Sequence, residues 1–146
     1  MTGPRWEARW HYEIRDLASL PPVRDWLRQA RRRLRPRRDC CRYHRVDWHA
    51  VSAAAIRIAL QAQPSGTPPE DAAGAITPAS CGLDGEDIEA LGDLLTPENG
   101  IQVDDDDPHA QHVYEGRHRV TAMRDAGVRR TVILRPELIE VSGDPR

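Results

Sequence analysis

The chain has 146 residues, 39% of them hydrophobic and 30% charged, which is enough to bury the core of one domain and too polar for a membrane bundle. The formal net charge of −2 hides an asymmetry: residues 1–63 carry fourteen Arg against six acids, and residues 64–146 carry seven Arg against seventeen. Halves so different point either to mutual packing or to two different partners.

All cations are Arg, since there is no Lys, and there is no Phe. The first residues, "MTGPRWEARW", contain no apolar h-region, and no run approaches about 18 uninterrupted apolar residues. Neither a secretory leader nor a membrane span is expected, and cytoplasm is the expected compartment. Cys40, Cys41 and Cys81 are an odd, sparse set that does not read as a disulfide framework.

In chain order, residues 6–14 alternate strictly. Trp6, Ala8, Trp10, Tyr12 and Ile14 share one side, and Glu7, Arg9, His11 and Glu13 the other, the pattern of a half-buried strand. "SLPP" ends it, and Val23, Trp26, Leu27, Ala30 and Leu34 follow at helical spacing until Pro36. Residues 37–46 are irregular and basic. Asp47 is placed to cap an Ala-rich helix over 47–62 with little polar surface, which implies burial. The Trp residues at 6, 10, 26 and 48 lie on apolar faces and are expected in the core.

Residues 64–82 are rich in Pro, Gly, Ala and Ser without periodicity, and read as a flexible linker or mobile loop. Asp84 then caps a helix with acids in its first turn and Ile88, Leu91 and Leu95 on one stripe. "GIQV" is a short strand, Asp104–Asp107 with Pro108 a turn, and 111–115 the returning strand. Helix 117–126 follows, burying Val120 and Met123 beside Ala122 and Ala126, with Gly127 where a left-handed C-cap belongs. A strand over 131–135 completes a strand–helix–strand unit, read as a right-handed βαβ crossover. The expected fold class is α/β (α+β): one domain over 1–146 with a small mixed sheet, the βαβ unit, and a helical basic insertion over 22–62.

The chemistry concentrates at Gly116-Arg117-His118-Arg119. Helix N-termini carry partial positive charge and favour Asp or Glu, so three basic residues there are unfavourable unless an anion is present. Gly116 allows a sharp turn and close approach of main-chain N–H groups. The first helical turn has unbonded donors, and Arg forks suit phosphate oxygens. His118 adds a donor that titrates near neutrality. The competing reading is of surface Arg residues paired with Glu115 or the Asp run.

The stretch "YEGRHRVTAMRDAGVRRTVIL" resembles the ParB/sulfiredoxin superfamily signature: an acid and Gly, a basic triplet, an Ala-containing helix, a Gly and a Val-rich strand. "DIEALGDLLTPENGIQV" is similar to the helix, Gly-containing loop and strand that precede it in ParB-type domains. The resemblance covers about residues 84–135. It implies a phosphate-binding turn formed by Gly116, Arg117, His118 and Arg119, serving a nucleoside triphosphate with Mg²⁺ or nucleic-acid phosphates. It leaves open a phosphoryl-transfer or phosphodiester-cleaving enzyme, with Glu115 as base and His118 as a second catalytic candidate. Where sulfiredoxins carry a catalytic Cys after the Gly, this chain has Arg117, so that chemistry is not expected. The chain also stops eleven residues after its last expected strand, short of the helix-turn-helix domain of partition proteins.

Residues 28–45 hold nine Arg and one acid, interleaved with Tyr43 and His44. Arg31, Arg32, Arg33, Arg35, Arg37 and Arg38 form a candidate nucleic-acid arm, and the alternative is a solvated face that pairs with the acidic half. The eleven residues between helices 22–35 and 47–62 are too many for a helix-turn-helix. Cys40, Cys41, His44 and His49 lack the spacing of a zinc site, and Asp104–Asp107 reads as solvated charge rather than a Mg²⁺ site, so no protein-held metal is expected. A protein-interaction module, as a homodimer or with another protein, is the third functional class.

Overall fold

The computed structural model describes residues 3–22, 42–104 and 112–142, with the His112 and Tyr114 side chains excepted. The helix expected over 22–35, Trp26, the Arg31–Arg38 arm, Cys40, Cys41 and Asp105–Asp107 lie outside the described residues.

Strand β1 (Arg5–Asp16) is the alternating aromatic stretch, and it pairs antiparallel with β4 (Arg130–Val141) along its whole length, from Arg5↔Val141 to Asp16↔Arg130. Strands β2 (Gln102–Asp104) and β3 (His112–Glu115) form a second antiparallel pair. The fold is therefore α+β, but among the described residues the strands form two antiparallel ribbons rather than one mixed sheet. The unit expected as βαβ is strand, helix and strand in sequence, yet β3 belongs to one ribbon and β4 to the other, so it is not a crossover within one sheet. The ribbons meet where the Leu134 amide donates to the Ile101 carbonyl at 2.9 Å.

Helix α1 (Trp48–Ser65) starts at Asp47, whose carboxylate accepts from the Ala50 amide at 3.1 Å, and stops at Gly66 with φ +68°. Its Ala-rich sequence permits close approach: Val51, Ala55 and Ala59 are fully buried, and the helix packs on β4 and α4. Trp48 is buried as expected, and its indole N–H donates to the Tyr43 carbonyl at 2.6 Å. Trp10 packs at the margin of the core, whereas Trp6 is 56% exposed, because the outer half of the β1–β4 ribbon extends beyond the helices.

The segment 64–82, expected as a linker, instead contains α2 (Pro69–Gly74) and α3 (Pro78–Cys81). Each begins with Pro at its first position, where the missing N–H costs nothing, and Thr77 and Ser80 form a capping box. Both are anchored: Pro69, Ala72 and Cys81 are buried, and the Pro69 carbonyl accepts from the Tyr12 hydroxyl at 3.0 Å. Helix α4 (Gly85–Leu95) buries Ala90, Leu91, Leu94 and Leu95; Asp84 stands at its N-cap position without a side-chain cap bond. Helix α5 (Arg117–Asp125) buries Val120, Ala122 and Met123, and Gly127 adopts the expected left-handed conformation at φ +77°. No helix among the described residues is long and apolar enough to cross a membrane.

Candidate functional site

The turn before α5 is built on Gly116, which has φ +84°. An L side chain strains in that region, and a Cβ there would lie 2.8 Å from Ile101 Cγ1 and 3.1 Å from Arg119 Nη2. Only Gly satisfies both the backbone and the space. The helix starts without a side-chain cap and without an acid in its first turn, so its leading N–H groups have no side-chain acceptor from the N-cap. The Gly116 carbonyl already accepts the Val120 amide at 2.9 Å, so helical geometry begins directly at the turn.

The three basic residues fare differently. Arg117 is exposed, with its carbonyl accepting from the Thr121 hydroxyl at 2.9 Å. His118 is half-buried and stacks on Tyr43, the ring centroids 6.0 Å apart at 21°. Arg119 turns inward and is only 8% exposed. Its Nη2 donates to the Asn99 carbonyl, while Nη1 is buried without a hydrogen-bond partner among the described groups. Burial pulls the guanidinium below its usual pKa range, and the nearby Tyr43, Asp93 and Glu115 oppose that shift. An uncommitted donor on a buried cation is costly, and natural structures rarely keep one without a ligand, water or functional reason.

Burial of Arg119 is readable in principle from the sequence. It stands three and four residues before Ala122 and Met123, on the stripe that faces the core. Tyr43, Asp93 and the Asn99 carbonyl, in contrast, come from distant segments. Tyr43 lies in a 3-10 turn, Arg42–Arg45, which is fixed by Trp48 below and by acids of α4 at the side. Arg42 is 3.6 Å from Glu89, and Arg45 is 3.2 Å from Glu86. The Arg42 guanidinium lies 5.2 Å from the Tyr43 ring centroid, which adds a cation–π contact. A small cavity of about 70 Å³ opens between Arg42, Tyr43, Glu86, Glu89 and Asp93.

Glu115 is exposed and precedes the turn directly, pairing through its backbone with Gln102. Of the other candidates, His44 Nε2 donates to the Asp125 carboxylate at 3.2 Å, and His49 Nε2 donates to the Ala126 carbonyl at 2.7 Å. Both rings therefore brace the end of α5. Among the described residues no three His, Cys, Asp or Glu are grouped to hold a metal ion, and Asp104 is exposed at the end of β2. The structure thus brings together Glu115, Gly116, Arg117, His118 and Arg119, and adds Tyr43, Asp93 and Asn99 to them. Comparison with protein-family models, with curated proteins and with solved structures finds no match to this chain.

Proposed function

We propose that the chain is a phosphate-binding module of ParB-like type, associated with a nucleotide, with nucleic acid, or with both, and that Gly116, Arg117, His118 and Arg119 form its anion turn. The observation that carries this reading is the buried Arg119, with Nη1 unpartnered at the head of a helix that has no acid in its first turn. The leading N–H groups of this helix, the exposed Arg117 and the half-buried His118 are neighbours at the turn and are donors of the kind that bind phosphate, which supports the reading. The resemblance of residues 84–135 to the ParB/sulfiredoxin signature points the same way.

Asp93 and Glu115 lie near enough to act on Arg119. Their negative charge opposes a bare phosphate and favours one that arrives with a divalent cation, so a triphosphate with Mg²⁺ fits better than a free anion. Tyr43 adds an aromatic ring beside the turn, already in contact with His118 and the Arg42 guanidinium. Binding rather than turnover is the function proposed; Glu115 as a general base is the alternative, and Glu115→Gln separates the two.

The test is titration calorimetry with CTP, ATP and GTP, with and without Mg²⁺, on the wild type, Arg117→Ala and Arg119→Met. Saturable heat with one triphosphate, strengthened by Mg²⁺ and abolished in Arg119→Met, is the expected result. Absence of heat with every triphosphate, together with no salt-dependent binding of DNA, would remove the proposal.

A further inference from the structure

The ladder geometry of β1 reveals which of its edges is open. The Leu17 amide donates to the Arg129 carbonyl at 2.8 Å, continuing the β1–β4 ladder by one rung. Bonded and non-bonded pairs alternate in antiparallel strands, and the register here runs continuously. Odd-numbered residues of β1 therefore bond to β4, and even-numbered residues turn their N–H and C=O groups away from it. Three contacts obey this parity. The Tyr12 carbonyl accepts from Gln63 Nε2 at 2.7 Å, its cross-strand neighbour Leu134 donates outward to Ile101, and Pro136, which has no N–H, stands opposite Trp10. The outer edge of β4 is thus occupied at Leu134 and blunted at Pro136. Among the described residues no strand pairs with the outer edge of β1, where Trp6, Ala8 and Trp10 present their main-chain groups.

The same part of the ribbon holds apolar side chains in the open. Trp6 is 56% and Leu138 67% exposed, and cross-strand pairing puts Trp6, Ala8 and Trp10 on one face with Pro136 and Leu138. A two-stranded ribbon is marginal alone in water, and an open edge with an apolar face is an association site. A groove of about 550 Å³ runs along this edge, between Ala8, Trp10 and Tyr12 on one side and Gln63, Thr67 and Pro69 on the other.

We propose that two copies of this chain associate here, β1 pairing antiparallel with β1 of the second copy about a two-fold axis at Ala8. In that register Ala8 faces Ala8 of the second copy and Trp6 faces Trp10, and the outward main-chain groups of these even-numbered residues meet as bonded pairs. On the opposite face Glu7 stands across from Arg9, twice by symmetry. Arg5 stands across from His11, whose ring is held by Glu137 at 2.7 Å in its own chain. Moving the axis by one residue would put Glu7 against Glu7 or Arg9 against Arg9, so charge selects this register. The resulting four-stranded sheet lays Leu138, Ala8, and Ala8 and Leu138 of the second copy in one apolar row.

The experiment is sedimentation equilibrium of the full chain over a concentration series. The wild type is expected to dimerise. Glu7→Arg replaces two opposite-charge pairs with two like-charge pairs and should weaken the dimer about tenfold or more, while Glu7→Arg with Arg9→Glu should restore it. Ala8→Pro removes an N–H that β4 does not use, so it should yield a monomer with unchanged far-UV circular dichroism. Should Ala8→Pro fail to fold, the charge exchange decides alone. A wild type that stays monomeric at every concentration, or a dimer indifferent to Glu7→Arg, overturns the proposal.

Discussion

Gly116→Ala tests whether the turn at the head of α5 is fixed by packing as well as by backbone conformation. At φ +84° a residue with a Cβ costs about 1–2 kcal/mol relative to Gly. The added methyl would also lie 2.8 Å from Ile101 Cγ1 and 3.1 Å from Arg119 Nη2. Neither neighbour yields easily: Ile101 is fully buried, and Arg119 is tied to the Asn99 carbonyl. Forcing a carbon into such a site costs a further ~1–3 kcal/mol, for a total of ~2–5 kcal/mol. A domain of this kind has only about 5–15 kcal/mol of stability, so the loss is large. Gly127→Ala is the control, because its φ of +77° is similar but a methyl group there would meet nothing within 4 Å. It should lose only the conformational part, about 1–2 kcal/mol. Equilibrium urea unfolding of both variants, followed by circular dichroism, measures the difference. Equal losses at 116 and 127 would refute the claim that Ile101 and Arg119 close over the turn.

Arg119→Met removes a buried cation with an unpartnered donor as well as its bond to Asn99, so the two effects offset; stability should stay within about 1 kcal/mol of wild type in urea titrations while triphosphate heat disappears. Burial, reinforced by Glu70, pushes the Tyr12 hydroxyl well above its ordinary pKa of 10.0, so the folded state holds that proton more tightly than the unfolded chain. Its contribution is complete below pH ~10 and falls as pH rises beyond it, at up to about 1.4 kcal/mol per pH unit, and urea midpoints measured from pH 9 to 11 should drop in the wild type but not in Tyr12→Phe. Tyr12→Phe should itself cost about 1–3 kcal/mol at neutral pH, because the Pro69 and Leu95 carbonyls lose their donor. Trp48→Phe cuts the 2.6 Å bond to the Tyr43 carbonyl and leaves space beneath the 3-10 turn; thermal denaturation should show a loss of roughly 2–3 kcal/mol, and triphosphate binding should weaken as Tyr43 loses its position beside His118.

Much of the local structure is legible in the sequence because it depends on near neighbours. Period-2 aromatics mark β1, Asp47 marks the start of α1, and Gly127 marks the end of α5, each by a rule that acts within a few residues. Strand partnership is not legible, since β1 meets β4 across more than a hundred residues and short-range spacing carries no information about which ribbon a strand joins. The sequence pattern ends β4 at Arg135 because Pro136 and Glu137 interrupt the apolar run. The strand continues to Val141 because Pro136 lies at a position that needs no N–H toward β1. Helices α2 and α3 are hidden by the residues that start them, as Pro69, Pro78 and Thr77 are equally turn formers and helix starters. At the site, Glu115, Gly116 and the basic triplet stand out, but Asp93, which also tempers Arg119, arrives from α4.

Under the proposed function, Asp93 and Glu115 bear on what the turn would select. Ile101 ties the architecture together: its carbonyl takes the Leu134 amide, its side chain closes over Gly116, and it leads into β2, which pairs with Glu115. Gly100 lets this segment press on β4, since a Cβ there would be 2.5 Å from Leu134 Cδ2, and the adjacent Asn99 carbonyl is thereby aimed at Arg119. The turn is consequently held in place by packing, and under the proposed function a ligand would bind without ordering a loop. Rigidity alone would favour every small anion equally. The basic surface beside it is already engaged, with Arg42 on Glu89 and Arg45 on Glu86, so the halves of opposite charge do pack together there. Helix dipole, Arg117 and His118 are then set against Asp93 and Glu115. Under the proposed function, sulfate or inorganic phosphate should gain little in so balanced a field, whereas a triphosphate carrying Mg²⁺ would satisfy the donors and the carboxylates at once. Discrimination between those anions, more than affinity for any one, is what this arrangement of charges predicts.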